Sequence, residues 1–400
     1  MVNRRAGRAT RMLVGLAGGR SIPAATESGI FIRMSRSPTR EVPLRDGSTL
    51  AIEIAEPPFD RSRDWGRLRS WPLIREDMLE GRLNRWMQAP YFIGRVDGEV
   101  AGTMCYYAPA DTRDVGALEF VSTEERFRRR GVGSALVGAL VDHFTAQGGR
   151  ALYLCTANPV AGHLYESHGF RYHVGDGMRF LAPGAGDFDR WWFGAGATTI
   201  RDAHWGDLAR LCVLYNHPDP AWLLKDPLSE SFRDTRYESH FIRVMRAIED
   251  DTGVRGNGAF LVLEASESRV VGAVAFRRTD TFYEQHVAEL SFRIGRAHFD
   301  RAADLLDAAA ERAATLGIRQ LALRVAADDD EHRSLAESAG FAEGARWPRR
   351  IRTDDGFSDL LIMLREVASV AAPCKPRESF YGERKPWQAE RVASLRAGMD

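Results

Sequence analysis

Apolar positions along the chain fall into runs of two periods, and the two kinds follow one another in a set order. Residues 49–55 alternate as a first strand, which Pro57-Pro58 breaks. Residues 64–87 carry Trp65, Leu68, Trp71, Met78 and Trp86 at helical spacing. Residues 91–96 and 99–107 flank Asp97-Gly98, the favoured two-residue turn, and predict a hairpin. Residues 117–121 then alternate as a half-buried strand. After a charged segment comes the loop Arg128-Arg129-Arg130-Gly131-Val132-Gly133. Leu136, Val137, Leu140, Val141 and Phe144 follow, spaced for a helix with one buried face that ends at Gln147-Gly148-Gly149. Residues 151–155 read as a second apolar strand, with 170–173 and 178–181 as the last strands of this half.

From Thr199 the order repeats. Residues 199–202 open a strand, and Leu208, Leu211 and Leu214 mark one face of a helix with Asp202 or His204 near its cap. Residues 259–265 and 270–277 form a hairpin about Glu267-Ser268. Strands at 288–294 and 320–325 enclose a helix over 300–316. A further helix ends in Gly340-Phe341, and 357–364 completes the sheet. Recurrence of a whole pattern predicts a tandem α/β chain, its halves at 41–190 and 198–366 and joined near 187–197.

Composition narrows the setting. A chain of 400 residues exceeds one ordinary core, which also favours two domains. A hydrophobic fraction of 44% and a charged fraction of 28% are those of a globular protein. The formal net charge of zero gives no electrostatic reason to expect nucleic acid or an anionic membrane. No run approaches the length of a membrane-spanning segment. Cys105, Cys155, Cys212 and Cys374 are far apart, so neither a disulfide framework nor a metal site is expected, and a reducing cytoplasm fits. Cys155 reads as a small buried apolar residue. Residues 1–40, rich in arginine and poor in acid, read as a disordered leader, with Met34 an alternative start. Residues 367–400, with three prolines and few apolar positions, read as a tail in which 387–395 could form a short helix.

The order strand, glycine loop, helix, strand is one that binds phosphate. Gly131 and Gly133 let backbone N–H groups approach a ligand, and the next helix adds the positive end of its dipole. No Gly-Lys-Ser/Thr follows, and the dinucleotide pattern Gly-x-Gly-x-x-Gly is not met. Arg128-x-x-Gly131-x-Gly133 resembles the acyl-CoA pyrophosphate loop of the GNAT (acyl-CoA N-acyltransferase) superfamily. Asn158, with Leu164-Tyr165-Glu166-Ser167-His168-Gly169-Phe170, resembles the second signature of that superfamily. The resemblance covers roughly 46–181. It implies two tandem domains of this fold, each a mixed twisted sheet flanked by helices, with acetyl-CoA as co-substrate.

The same resemblance implies roles for residues. Donor contacts fall at the backbone of Val121 and Thr123, at Arg129, Arg130, Gly131, Val132, Gly133 and Ser134, and at Asn158. Arg128 either orders the loop or is a solvated charge. Tyr165 is the expected general acid, against the alternative of a structural hydrogen bond. Glu119 is the expected base, directly or through water, unless strand parity turns it from the cleft. A branch that acetylates ribosomal-protein termini has Glu on the fifth strand, where this chain has Tyr153. His143, His163 and His168 read as solvated helix residues. Helices in 64–87 fall where the acceptor pocket is lined, although most of their aromatics read as a buried face.

The second half lacks this chemistry. It has Ile294-Gly295-Arg296-Ala297-His298-Phe299 in place of the loop, Leu335 in place of Tyr165, and adjacent acids within 326–331 that would repel a diphosphate. The reading is therefore an acetyl-CoA-dependent N-acetyltransferase acting on a primary amine of a small molecule, with a degenerate second domain and a homo-oligomer left open. The alternatives are a non-catalytic acyl-CoA sensor, or an acyltransferase for another acyl group or a hydroxyl acceptor.

Overall fold

Two β-sheets lie on either side of one buried helix. The structure is a computed structural model that describes residues 39–66, 68, 72–218, 223–224, 237–248, 258–279, 281–353 and 356–368. Most of the expected leader, most of the expected tail, and Met34, Trp71 and Cys374 lie outside the described residues.

The first sheet is built from β1 (Arg40–Pro43), β2 (Thr49–Ala55), β3 (Met87–Gln88), β4 (Tyr91–Val96), β5 (Glu99–Pro109), β6 (Val115–Thr123), β7 (Ala151–Cys155), β8 (Arg171–Val174) and β9 (Gly177–Leu181). Helices α1 (Pro72–Glu80), α2 (Val132–Ala146) and α3 (Pro159–Glu166) flank it, and α4 (Phe188–Trp192) leads out of it. The second sheet contains β10 (Thr198–Asp202), β11 (Leu223–Leu224), β12 (Gly258–Ala265), β13 (Arg269–Arg278), β14 (Val287–Gly295), β15 (Gln320–Ala326), β16 (Ala342–Thr353) and β17 (Gly356–Glu366). Its helices are α5 (Asp207–Tyr215), α6 (Tyr237–Ile248), α7 (Ala302–Thr315) and α8 (Asp330–Ser338).

Strand order runs β1-β2-β4-β5-β6-β7-β9-β8 in the first sheet and β10-β12-β13-β14-β15-β17-β16 in the second. From β2 onward the first order matches the second, and β1 adds an edge strand with no counterpart among the described residues. In each, a single neighbouring pair is parallel, β6 with β7 and β14 with β15, because a helix crosses over between its strands. The chain is thus a mixed α/β protein of two sheets flanked by helices, as its sequence leads one to expect.

Helices and sheets alternate in layers. On the outer face of the first sheet, Leu136, Val137, Leu140 and Phe144 of α2 pack with Leu118, Leu152, Tyr165 and Phe170. On the outer face of the second, Leu305, Leu306 and Ala309 of α7 pack with Phe292, Leu321 and Leu323. Between the sheets a third cluster joins Tyr91, Cys105, Tyr107 and Tyr153 to α5, to Phe241 of α6 and to Val262, Val270 and Ala273 of the second sheet. The described residues form one compact body.

Helix α5 departs from its sequence reading. Leu208, Leu211 and Leu214 predict one apolar face, yet all nine residues are buried, Asp207 and Arg210 included. The second sheet covers the side that would otherwise face water. Each of those leucines contributes roughly 2 kcal/mol by burial. The helix is capped at Gly206, not at Asp202 or His204. The Asp207 carboxylate accepts from the His204 N–H at 2.9 Å, and His204 Nδ1 accepts from the Gly206 N–H at 3.1 Å.

Three other differences have local causes. The helical reading of 64–87 contracts to α1, because Gly66 and Gly81 take positive φ values of 54° and 67° that a helix cannot hold. The linker over 187–197 contains α4, whose Trp192 is fully buried and donates from Nε1 to the Val270 carbonyl at 2.9 Å. The acids at 328–330 are tied up locally: Asp328 accepts from the Ser358 hydroxyl, Asp329 caps α8, and Asp330 pairs with Arg333.

Candidate active site

Strands β6 and β7 part company early. Their ladder pairs Val115 with Ala151, Gly116 with Leu152 and Ala117 with Tyr153, and stops there. Beyond it β6 bulges. Cys105 of β5 pairs with Glu119 and Thr103 with Ser122, so one side has an extra residue, and Phe120 takes φ 55°. The divergence leaves a fork between Leu118–Thr123 on one prong and Leu154–Cys155 on the other. The ladder with β7 does not extend along that edge of β6.

The loop beyond β6 is pinned rather than loose. Arg128 Nε donates to the Thr123 carbonyl at 3.4 Å. Arg130 pairs with Asp46 at 3.0 Å, and its carbonyl accepts from the Arg45 N–H at 3.0 Å. Arg129 and Gly131 take φ 65° and 99°, and Gly131 is the N-cap of α2. This alternation turns successive N–H groups toward one concavity at the helix N-terminus. A Cβ at Gly133 would stand 3.2 Å from Leu164 Cδ2, so glycine permits α2 and α3 to close on the loop. Val132 is buried beneath it. Arg128 and Arg129 make no ion pair among the described residues, and both are exposed.

Ser134 and Asn158 have structural partners as well. Ser134 Oγ lies 2.9 Å from His168 Nε2, which fastens α2 to the end of α3. Asn158 is the N-cap of α3, its Oδ1 accepting from Val160 and Ala161 N–H groups at 3.0 and 3.4 Å. Capping uses the carbonyl end, and the amide Nδ2 of this exposed side chain is left to donate outward.

Glu119 and Tyr165 face the fork from opposite sides. Glu119 shares a rung with Cys105 and so points to the α5 side of the sheet, where Cys105 is buried. Burial raises the Cys105 thiol well above its ordinary value, and the Glu119 carboxylate adds to the rise. Tyr165 comes from α3 on the α2 side, packed edge-on to Phe170 at 5.7 Å. Burial pushes its phenol up, and the neighbouring Glu119 carboxylate pushes it further. Its hydroxyl has no hydrogen bond among the described residues, so no structural bond occupies the proton.

Some expectations about histidine are overturned. His143 is half-buried and bonds Tyr106 Oη at 3.0 Å through Nδ1, and His168 is the partner of Ser134. Each is only partly exposed and is held by its hydrogen-bond partner. His163 is exposed, as read. Cys155, expected to be buried, is only partly so, since it lies past the end of the ladder.

A polar cluster that the sequence reading missed lies beside the fork on the Glu119 face. Tyr153 stands on the last rung, 6.4 Å ring to ring from His173, with Arg179 paired to Asp189 at 2.6 Å. His173 Nε2 is buried with no hydrogen-bond partner among the described residues. Burial, and then the Arg179 cation, lower its imidazole to about 4. No motif announces this cluster, because β7, β8, β9 and α4 come together only in the fold. A cavity of about 530 Å³ beside α1 is lined by Arg61, Arg63, Trp65, Leu68, Arg75 and Glu76. Its arginines already pair with carboxylates, Arg61 with Glu76 and Arg63 with Glu53.

Residues 54–170 match the model of the acetyltransferase (GNAT) family. Those residues are a GNAT acetyltransferase domain. The match takes in β4 to β7, α2 and α3, hence the whole fork, and ends at Phe170 of the second signature. A curated relative, named probable N-acetyltransferase camello of Xenopus tropicalis, is 30% identical over 102 residues. That stretch is 24% of this chain and 47% of the relative, so the chain spans about half the length of the curated relative it matches. Among solved structures, a phosphinothricin acetyltransferase of Sinorhizobium meliloti in complex with AcCoA is 18% identical, with 46% of this chain and 96% of that one covered and a TM-score of 0.37. The ribosomal-protein-S18-alanine N-acetyltransferase of Escherichia coli is 18% identical, with 44% and 97% covered and a TM-score of 0.33. No helix among the described residues is long and apolar enough to cross a membrane.

Proposed function

We propose that the protein is an acetyl-CoA-dependent N-acetyltransferase whose donor site is the fork of the first sheet. One observation carries the reading. A bulged strand with an open main-chain edge leads into a left-handed glycine turn, while a carboxylate and a phenol face the same gap from its two sides.

Acyl-CoA supplies a thioester and a diphosphate, and the residues present fit both. Backbone N–H groups from Arg129 to Ser134 would take the diphosphate, with the exposed Arg128 and Arg129 guanidiniums nearby. The β6 edge at Val121 and Thr123 would pair with the amides of the pantetheine arm, which adds as a strand does. Asn158 Nδ2 would donate to the same arm. Glu119 would take a proton from the attacking amine, and Tyr165 Oη would give one to the departing thiolate. A phenol whose proton is held more tightly by burial is a weak acid at rest. It is nonetheless suited to a thiolate generated within the same dry pocket.

The second half supports a small-molecule amine as acceptor. Glu119 opens on the face that α5 covers, so the acceptor approaches through an enclosed layer rather than an open peptide groove. We read residues 41–190 as the catalytic domain and 198–366 as a second copy of the fold without its chemistry. β14 has no carboxylate between Ser291 and Gly295, and α8 has Ala336, not the Leu335 expected from sequence, where α3 has Tyr165, since the Phe341 N–H bonds the Ala336 carbonyl as the Phe170 N–H bonds that of Tyr165.

Isothermal titration of CoA into the full chain tests this. Binding is expected, and its loss in a Gly131→Asp, Gly133→Asp variant that melts like the wild type. Binding that survives in the variant would place the donor elsewhere and sink the reading.

A further inference from the structure

We propose that the fork of the second sheet is a strand-binding site whose occupant is the chain's own β11, so the protein holds one donor per chain. The strand assignment stands on its own geometry, while the count of donors rests on the reading of the first fork given above.

A β-strand has two edges. One edge of β14 is paired with β13 from Ala288 as far as Ile294, whose partner is Gly272. The other edge is paired with β15 from Val287 to Leu290, where β15 turns away. Leu223 pairs with Gly295 and Leu224 with Ile294. Since β13 already occupies the first edge at Ile294, β11 must lie on the second, beyond the point where β15 leaves. That is the edge that stays open in the first sheet.

The surroundings fit an internal occupant and not a nucleotide. The register of β14 with β13 runs without the bulge seen in β6. Gly295 has φ −69°, so no left-handed turn follows the strand, and a 3₁₀ segment over Arg296–Arg301 replaces the glycine loop. Arg296 reaches across to Glu331 of α8 at 2.9 Å, spanning the gap through which a diphosphate would enter. Main-chain pairing asks little of the side chains, so a fork built for amide groups accepts a peptide strand equally well. The same strand holds the helix that precedes β11. Arg293, buried in β14, donates to the carbonyls of Tyr215 at 2.8 Å and His217 at 3.4 Å, at the end of α5. The second fork therefore anchors the chain that leaves the inter-sheet helix.

Hydrogen exchange of the full chain, with and without CoA, decides the matter. Amides within 293–295 are expected to exchange slowly without CoA and to be unchanged by it, while 119–134 gains protection. In a Leu223→Pro, Leu224→Pro variant both N–H groups are gone, and exchange within 293–295 should quicken about tenfold while β12 and β13 stay protected. Unchanged exchange in that variant would overturn the strand assignment, and protection of 291–298 by CoA would overturn the single donor. Absence of protection anywhere on adding CoA would sink the donor reading of the first fork, and with it the count of one. The proline arm would still decide the strand.

Discussion

Arg210 in α5 reaches out of the second half to Asp111 in the loop after β5, Nη2 to Oδ1, at 2.5 Å. Arg210 is 1% exposed, and its Nη1 also meets Asp207 at 3.3 Å. Burial alone would raise the Asp207 carboxyl. The Arg201 and Arg210 guanidiniums outweigh it and hold the group below its ordinary range. One buried cation thus ties the loop of the first sheet to the helix that the second sheet covers.

Removing that cation should be costly. Arg210→Met leaves Asp207 buried with fewer partners and is expected to destabilise the protein by about 3 kcal/mol. Asp111→Asn keeps an acceptor and should cost about 1 kcal/mol. Denaturant melts of both variants and of the double variant provide the check. Full additivity in the double variant would show that the pair is not coupled.

Asn158 is predicted to have two separable duties. Asn158→Asp keeps an oxygen to cap α3 but loses the amide donors, so CoA should bind at least several-fold more weakly with little loss of melting temperature. Asn158→Ala loses both and should also cost about 1 kcal/mol of stability. Unweakened CoA binding in the Asp variant would reduce Asn158 to a cap.

Tyr165→Phe separates an enzyme from a sensor. With acetyl-CoA and an amine found by screening the wild type, thiol release should fall about 100-fold or more while CoA affinity is nearly unchanged. A rate within a few-fold of wild type would remove Tyr165 from the chemistry.

His173 gives the fold an acid-sensitive point. Its imidazole titrates at about 4 when folded, because burial and Arg179 disfavour the cation, against about 6.5 in an unfolded chain. Between those values the unfolded chain binds more protons, so stability rises with pH. The contribution is full above about pH 6.5 and is lost as pH falls toward 4. Other histidines shift the same way, His204 and His298 among them, so the comparison is with His173→Asn. Its melting temperature should fall less than the wild type's between pH 6.5 and 4.5. Parallel curves would contradict the assignment.

Residues adjacent in sequence made much of this protein legible without its fold. The β2 bounds follow from alternation and those of β7 from a short apolar run, both of them local signals, and Asp97-Gly98 marks the hairpin because left-handed turn residues are chemically distinctive. Gly131, Gly133, Asn158 and Tyr165, the residues proposed for the site, can be picked out in the same way, because one loop and one short helix carry them. Tertiary structure decided what depends on contact between distant segments. α5 looks amphipathic until a second sheet covers its polar side, and Glu119 gains a direction only through the bulge and its rung with Cys105. The His173 cluster and the β11 strand bring together residues far apart along the chain, and burial of charge or pairing of an edge leaves no periodic trace in sequence.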